Sequence, residues 1–242
     1  MPIKLNDLEC RRFGIVAARL TDPTAPLDAV DAVARAASVD LLTTRIDVAD
    51  LPRVHALEQA GHRLMDTLVY YARPLTNLPD GPRDSGQPKL RQATPSDSGD
   101  VAALARAAFS DYIGHYHADP QLDSVKADAA YVEWAETSVQ TCSDAAPVLV
   151  AQDGRDILGF LTLRRNSAKE YEIVLNAVHP DAAGKGVYGS LVAGSLDLAQ
   201  QAGAQRVIVS TQINNYAVQR IWSRLGLCHY KSIYTFHKWY EP

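Results

Sequence analysis

Two short stretches of the chain carry groups that could do chemistry. The run Glu172-Ile173-Val174-Leu175-Asn176-Ala177-Val178 sets one carboxylate in an otherwise apolar, strand-like segment. Apolar surroundings penalise the charged form of a carboxyl and favour proton uptake, as a base working near neutral pH requires. The other reading of Glu172 is an ordinary surface charge at the exposed start of a strand. Just downstream, Gly184-Lys185-Gly186 and Gly189 open an apolar-periodic run that ends at Gly203. Glycines at such a place let several backbone N–H groups point into one concavity at a helix N-terminus, which is how short loops cradle a phosphate. A lone Gly-x-Gly says little, because glycines punctuate any turn. The weight comes from order: strand, glycine loop, helix, a β-branched strand over residues 206–211, then a helix opened by Asn215 and stopped by Gly226.

In that order the elements resemble the GNAT superfamily of acyl-CoA-dependent N-acyltransferases. The family's pyrophosphate loop, R/Q-x-x-G-x-G/A, is matched by Ala183, Gly184, Lys185, Gly186, Val187 and Tyr188, with Ala183 in place of Arg or Gln and Tyr188 in place of Gly or Ala. Asn215-Tyr216-Ala217-Val218-Gln219-Arg220-Ile221-Trp222-Ser223-Arg224-Leu225-Gly226-Leu227 is similar to the family's N-x-x-A-x-x-L-Y-x-x-x-G-F segment, with Trp222 at the tyrosine. The resemblance implies an α/β fold with a mixed, largely antiparallel sheet flanked by helices, and acetyl-CoA as co-substrate. It implies that the strand ending at Ala177 and Val178 splays from its neighbour and offers backbone groups to pantetheine; plain sheet pairing is the alternative. It places pyrophosphate on residues 183–189, with Asn215 and Trp222 along the cofactor, although Asn215 also suits a helix N-cap. Glu172 becomes the base that takes a proton from the attacking amine. The acid is not supplied by Trp222, since an indole N–H has no useful acidity. Tyr216, another hydroxyl or water remains to protonate the thiolate.

A further likeness reaches beyond this region. Phe13-Gly14, His55-Ala56-Leu57-Glu58-Gln59-Ala60-Gly61, the Ala108-Phe109 helix end and Tyr131-x-x-Trp134 are arranged as in the bacterial TDP-fucosamine acetyltransferases. Those enzymes set a small βαβ domain ahead of the acetyltransferase domain and acetylate the amine of a nucleotide-linked sugar. The likeness implies an amino-sugar nucleotide as acceptor, bound where Phe13 meets the loop carrying Tyr112, His115, Tyr116 and His117. A solvated loop with two tyrosines tucked inward is the bland alternative. Two histidines in an extended segment also resemble metal ligands, but no third ligand is recognisable and no metal is expected. Two rivals stand beside the sugar reading: an acetyltransferase for proteins or other small amines, and a non-catalytic module that binds acyl-CoA or a partner protein.

The elements that must position these groups follow from periodicity. Residues 12–20 read as a buried strand, 27–38 as a helix, 41–46 as a strand, 51–60 as a short helix and 64–72 as a strand, giving a βαβαβ module over residues 1–75. Residues 76–88, with prolines and glycines among polar residues, read as a linker. The acetyltransferase domain is expected over residues 89–242. Its opening strand is followed by a helix begun at Ser96-Asp97-Ser98, and Tyr131 and Trp134 sit as core residues on a second helix. With 242 residues, 47% of them hydrophobic and 21% charged, a sizeable core is expected. A net charge of -4 leaves no basic footprint for nucleic acid. Three separated cysteines fit a reducing, cytoplasmic setting, and no apolar stretch reaches the length of a membrane span. A homodimer stays open.

Overall fold

The computed structural model describes residues 1–76, 88–110 and 112–240, so the expected linker at 76–88 lies almost wholly outside the described residues. The chain forms two compact units. One gathers Met1–Val69, Ile113–Ala127 and Lys231–Pro242; the other holds Tyr70–Tyr112 and Asp128–Tyr230. The first unit therefore takes in two segments from beyond the expected linker. A segment after the first helix of the expected acetyltransferase domain, and most of its last strand, belong with the N-terminal unit, because a terminal strand goes to whichever sheet edge offers it a hydrogen-bonding partner.

In chain order the elements are β1 (Ile3–Leu5), α1 (Asp7–Phe13), β2 (Ala17–Leu20), α2 (Leu27–Ala36), β3 (Leu41–Asp47), α3 (Leu51–Gln59) and β4 (Arg63–Pro74). Then come β5 (Lys89–Gln92), α4 (Ser98–Ala108), α5 (Ser124–Gln140), β6 (Val148–Asp153), β7 (Asp156–Ser167) and β8 (Glu170–Val178). The chain closes with α6 (Val187–Gln201), β9 (Arg206–Gln212), α7 (Tyr216–Arg224) and β10 (Cys228–Trp239). The strand order is β1-β2-β3-β10-β4 in the first unit and β4-β9-β8-β7-β6-β5 in the second. In the first unit β10 runs antiparallel to β3, with His237 opposite Thr43. In the second, β5 to β8 form an antiparallel meander and β8 pairs in parallel with β9. This is the mixed, mainly antiparallel α/β sheet that the motifs imply.

Where a strand is expected from residue 12, the chain is helical up to Phe13. Asn6 accepts from the Glu9 N–H as N-cap, and acidic Asp7 and Glu9 open α1 while Arg11 and Arg12 close it. Gly14, at φ 75°, takes the left-handed turn that ends it. These local capping signals outweigh the short apolar run Phe13-Gly14-Ile15-Val16.

The second unit's core lies between α6 and the sheet. Leu191, Val192, Leu196 and Ala199 present one stripe of the helix, and Leu161, Leu163, Tyr171, Ile173, Val207 and Val209 meet it from β7, β8 and β9. That packing fixes the start of α6 over the C-terminal end of β8. On α5, Tyr131 is buried but Trp134 is 37% exposed, so the pair does not share a core role.

Candidate functional site

β8 and β9 pair only from Glu170 to Ile173 on one strand and from Arg206 to Val209 on the other, yet β8 runs on to Val178 and β9 to Gln212. Beyond Ile173 the two strands are no longer in register with each other. A bulge in β8 accompanies the parting. Between the pairs Leu161–Asn176 and Leu163–Ile173, two residues of β8 face one of β7, and the Leu175 N–H donates to the Thr162 hydroxyl at 2.9 Å instead of to a carbonyl. Ala177 and Val178 stay paired with Phe160 and Gly159 of β7 on their other side. The result is a slot whose wall is half-free backbone, able to hold a ligand that carries amides of its own.

Gly159 is a contributor that sequence reading misses. A Cβ there would stand 3.0 Å from the Ala177 carbonyl oxygen and 3.0 Å from a Leu191 methyl, so only glycine lets α6 settle against this part of the sheet.

At the end of the slot, Pro180–Ala182 make one helical turn, Ala183 is extended, and Gly184 and Gly186 both take positive φ, 76° and 79°. Gly186 is the N-cap of α6, and no side chain caps this end of the helix. The backbone N–H groups of Val187, Tyr188 and Gly189 therefore emerge at the positive end of a 15-residue helix. A Cβ placed on Gly184, Gly186 or Gly189 would meet nothing within 4 Å, so the space beside the loop is open. Exposed Lys185 adds charge without shaping the concavity. The residues present thus suit a pyrophosphate.

Glu172 is not in the apolar setting expected of it. Its Oε2 accepts from Arg164 at 2.6 Å and from the Asn166 amide at 3.0 Å. The opposite face of β8, with Tyr171 and Ile173, is the one that enters the core, because the pleat alternates. Oε1 of Glu172 makes no hydrogen bond among the described residues. Asn215 uses both ends of its amide for structure: Oδ1 takes the Val218 N–H as N-cap of α7 and Nδ2 donates to Thr211. Tyr216, on the first turn of α7, is 66% exposed. Trp222 is 1% exposed, and its indole N–H donates to the Tyr188 hydroxyl at 3.0 Å. Burial pushes the Tyr188 phenol well above its ordinary value, with the Trp222 bond working weakly against it. Tyr112 packs edge-on against Phe109 and Tyr131 and donates to Gln212 at the end of β9, a residue that sequence reading did not single out.

The remaining residues proposed to touch the acceptor lie inside the first unit, not on an open loop. The rings of Phe13 and Tyr116 pack at 5.1 Å, and the Tyr116 hydroxyl donates to buried Glu9, which also pairs with Arg19. Burial, reinforced by the neighbouring His237 and Arg45, holds His115 well below its ordinary value. The Nδ1 of His117 accepts from the Gly114 N–H. Asp119 anchors the segment: its carboxylate accepts from His237 Nδ1 at 2.7 Å, Trp239 Nε1 at 2.9 Å and the Gln121 N–H at 3.0 Å. Burial alone would raise this carboxyl, but the three donors outweigh it and hold it below the usual carboxylate range. Phe13 and Tyr116 thus pack on each other here. Among the described residues no group of three or more His, Cys, Asp or Glu side chains could hold a metal. Nor is any helix among them long and apolar enough to cross a membrane.

A parted parallel strand pair beside an uncapped, glycine-opened helix suits a ligand that carries both amides and phosphates. Over residues 105–227 the chain matches the acetyltransferase (GNAT) family, and it belongs to that family. It is 24% identical over 205 residues to the spore coat polysaccharide biosynthesis protein SpsD of Bacillus subtilis, spanning 83% of this chain and 67% of that one. To the dTDP-fucosamine acetyltransferase of Escherichia coli it is 26% identical over 216 residues, 88% of each chain. The solved GCN5-related N-acetyltransferase of Sphaerobacter thermophilus shares its fold, with a TM-score of 0.69 at 14% identity over 99% of this chain and 76% of that one. The protein is an acyl-CoA-dependent N-acetyltransferase.

Proposed function

We propose that the acceptor is the amine of a small amino-sugar nucleotide. The observation that carries the cofactor half of the reaction is the parting of β8 from β9 beyond Ile173, with the glycine loop of α6 at its end. Acetyl-CoA supplies the activated acetyl thioester. In this reading residues 174–178 align its arm, the N–H groups at the start of α6 hold its pyrophosphate, and Glu172, with Oε2 fixed by Arg164 and Asn166, leaves Oε1 to accept the amine proton directly or through water. The sugar assignment is supported by the relatives named above, one named for a polysaccharide pathway and one for an amino sugar, both spanning most of this chain. It is supported too by the first unit, whose β1–β3 and α1–α3 lie outside the residues matched to the family.

Incubation with acetyl-CoA and a panel of amino-sugar nucleotides, free amino sugars, polyamines and peptides tests this, with free thiol and acetylated product both followed. Turnover is expected on amino-sugar nucleotides, with the free sugars at least about 100-fold poorer in kcat/KM, because contacts to the remote nucleotide contribute to transition-state binding. Acetylation confined to peptides or polyamines would overturn the sugar assignment and leave the acetyl-CoA site standing.

A further inference from the structure

We infer that Tyr188 is the group that protonates the departing thiolate, its hydroxyl held in place by the indole of Trp222. This rests on the acetyl-CoA slot described above. Expelling a thiolate from a tetrahedral centre goes faster with a positioned proton donor. Trp222 holds the helix position where a phenol would do that work, but its N–H is no acid. The indole is instead spent on one contact, the 3.0 Å bond to the Tyr188 hydroxyl. As acceptor in that bond, the hydroxyl keeps its own proton free, and it donates to no group among the described residues. Tyr216, by contrast, points its phenol into solvent.

Placement supports the same reading. Tyr188 is on the first turn of α6, two residues after Gly186, and packs against the apolar cluster that also contains Trp222. Val178, the last residue of the parted strand, packs against that cluster too. The hydroxyl thus belongs to a half-buried phenol on the turn that follows the glycine loop, with a single hydrogen bond, from Trp222, to fix its direction. In the step itself the amine nitrogen bonds to the acetyl carbon and the C–S bond breaks, its electron pair leaving on sulfur. Sulfur takes the Tyr188 proton, and the phenolate regains a proton equal to the one the amine nitrogen gives up.

Tyr188→Phe removes only the oxygen and keeps the packed ring. Its effect is read in two ways. With an accepted amine, kcat is expected to fall about 100-fold, while the dissociation constant of acetyl-CoA by calorimetry stays within about threefold. Without turnover, the thiol of bound CoA is titrated by thiolate absorbance in the ultraviolet. A phenol that donates to sulfur stabilises the thiolate, so the midpoint should rise in Tyr188→Phe by about one to two pH units, as loss of a hydrogen bond to a charged group implies. Trp222→Phe should move the midpoint the same way by less, since it loosens the hydroxyl without removing it. Identical titrations in the parent and Tyr188→Phe proteins would overturn the assignment, as would a kcat within about threefold of the parent. If the parent protein did not bind CoA at all, the slot reading would fail first, and the acid with it.

Discussion

Gly186→Val is expected to raise the dissociation constant for acetyl-CoA about 1,000-fold while the protein stays folded. Two physical effects add. Gly186 sits at φ 79°, a conformation that a β-branched residue adopts only at a cost of roughly 1–2 kcal/mol, so the turn shifts and the N–H groups behind it no longer converge. The valine side chain also enters the open space beside the loop, where nothing of the protein lies within 4 Å of the new Cβ and the phosphates would otherwise sit. Losing two hydrogen bonds to a charged group at about 2 kcal/mol each gives about 4 kcal/mol, or about 1,000-fold. Lys185→Ala, an exposed charge on a flexible stem, should change affinity less than about fivefold. Calorimetry on both variants, with circular dichroism as the folding control, reads the difference. A Gly186→Val protein that bound within about threefold of the parent would remove the loop from the cofactor site.

Asp119→Ala should destabilise the first unit by about 4 kcal/mol. Asp119 is 2% exposed, and its Oδ2 accepts from two side chains of β10, His237 and Trp239, while Oδ1 takes the Gln121 N–H. Because the carboxylate is the acceptor, the His237 proton on this side must be on Nδ1. Truncation leaves that N–H and the Trp239 indole N–H without an acceptor, at about 1–3 kcal/mol for each buried orphan donor. Asp119→Asn keeps one acceptor oxygen and should cost less than half as much. The contribution of Asp119 is present above the ordinary carboxyl value and is lost as pH falls through its depressed folded value, since the unfolded chain takes up the proton first. Urea unfolding of the three proteins at neutral pH provides the measurement. A cost below about 1 kcal/mol for Asp119→Ala would mean that the segment is held by its other contacts, such as the bond from Lys126 to the Phe13 carbonyl.

The strand, glycine loop and helix over residues 170–201 were legible in the sequence because their signals are local. A glycine that must take positive φ, an uncapped helix start and an apolar strand of fixed length are all written in consecutive residues. The parting of β8 from β9 was legible only through resemblance, since it depends on a bulge made by Thr162, 13 residues from the Leu175 N–H it accepts. The surroundings of Glu172 were hidden for a similar reason. Its own strand is apolar, but the neighbouring strand delivers Arg164 and Asn166 to its carboxylate, and no window along one strand contains that pairing. The segment with Tyr116 and His115 reads as a polar loop by composition. It is buried because partners far away in the chain, Glu9 at one end and His237 at the other, turn its polar groups inward. The Tyr188–Trp222 pair shows the limit most simply: two departures, one from each motif and each puzzling alone, make a single hydrogen bond across two helices.

Backbone hydrogen exchange with and without acetyl-CoA tests most directly whether the cofactor occupies this slot. At a ligand concentration about 100-fold above the dissociation constant, amides that open only in the free protein should exchange up to about 100-fold more slowly. The expected protection is confined to Val187, Tyr188 and Gly189 at the start of α6 and to residues 174–178 of β8. Binding that protects neither stretch, or that protects only residues of the first unit, would contradict the placement of acetyl-CoA between β8 and β9.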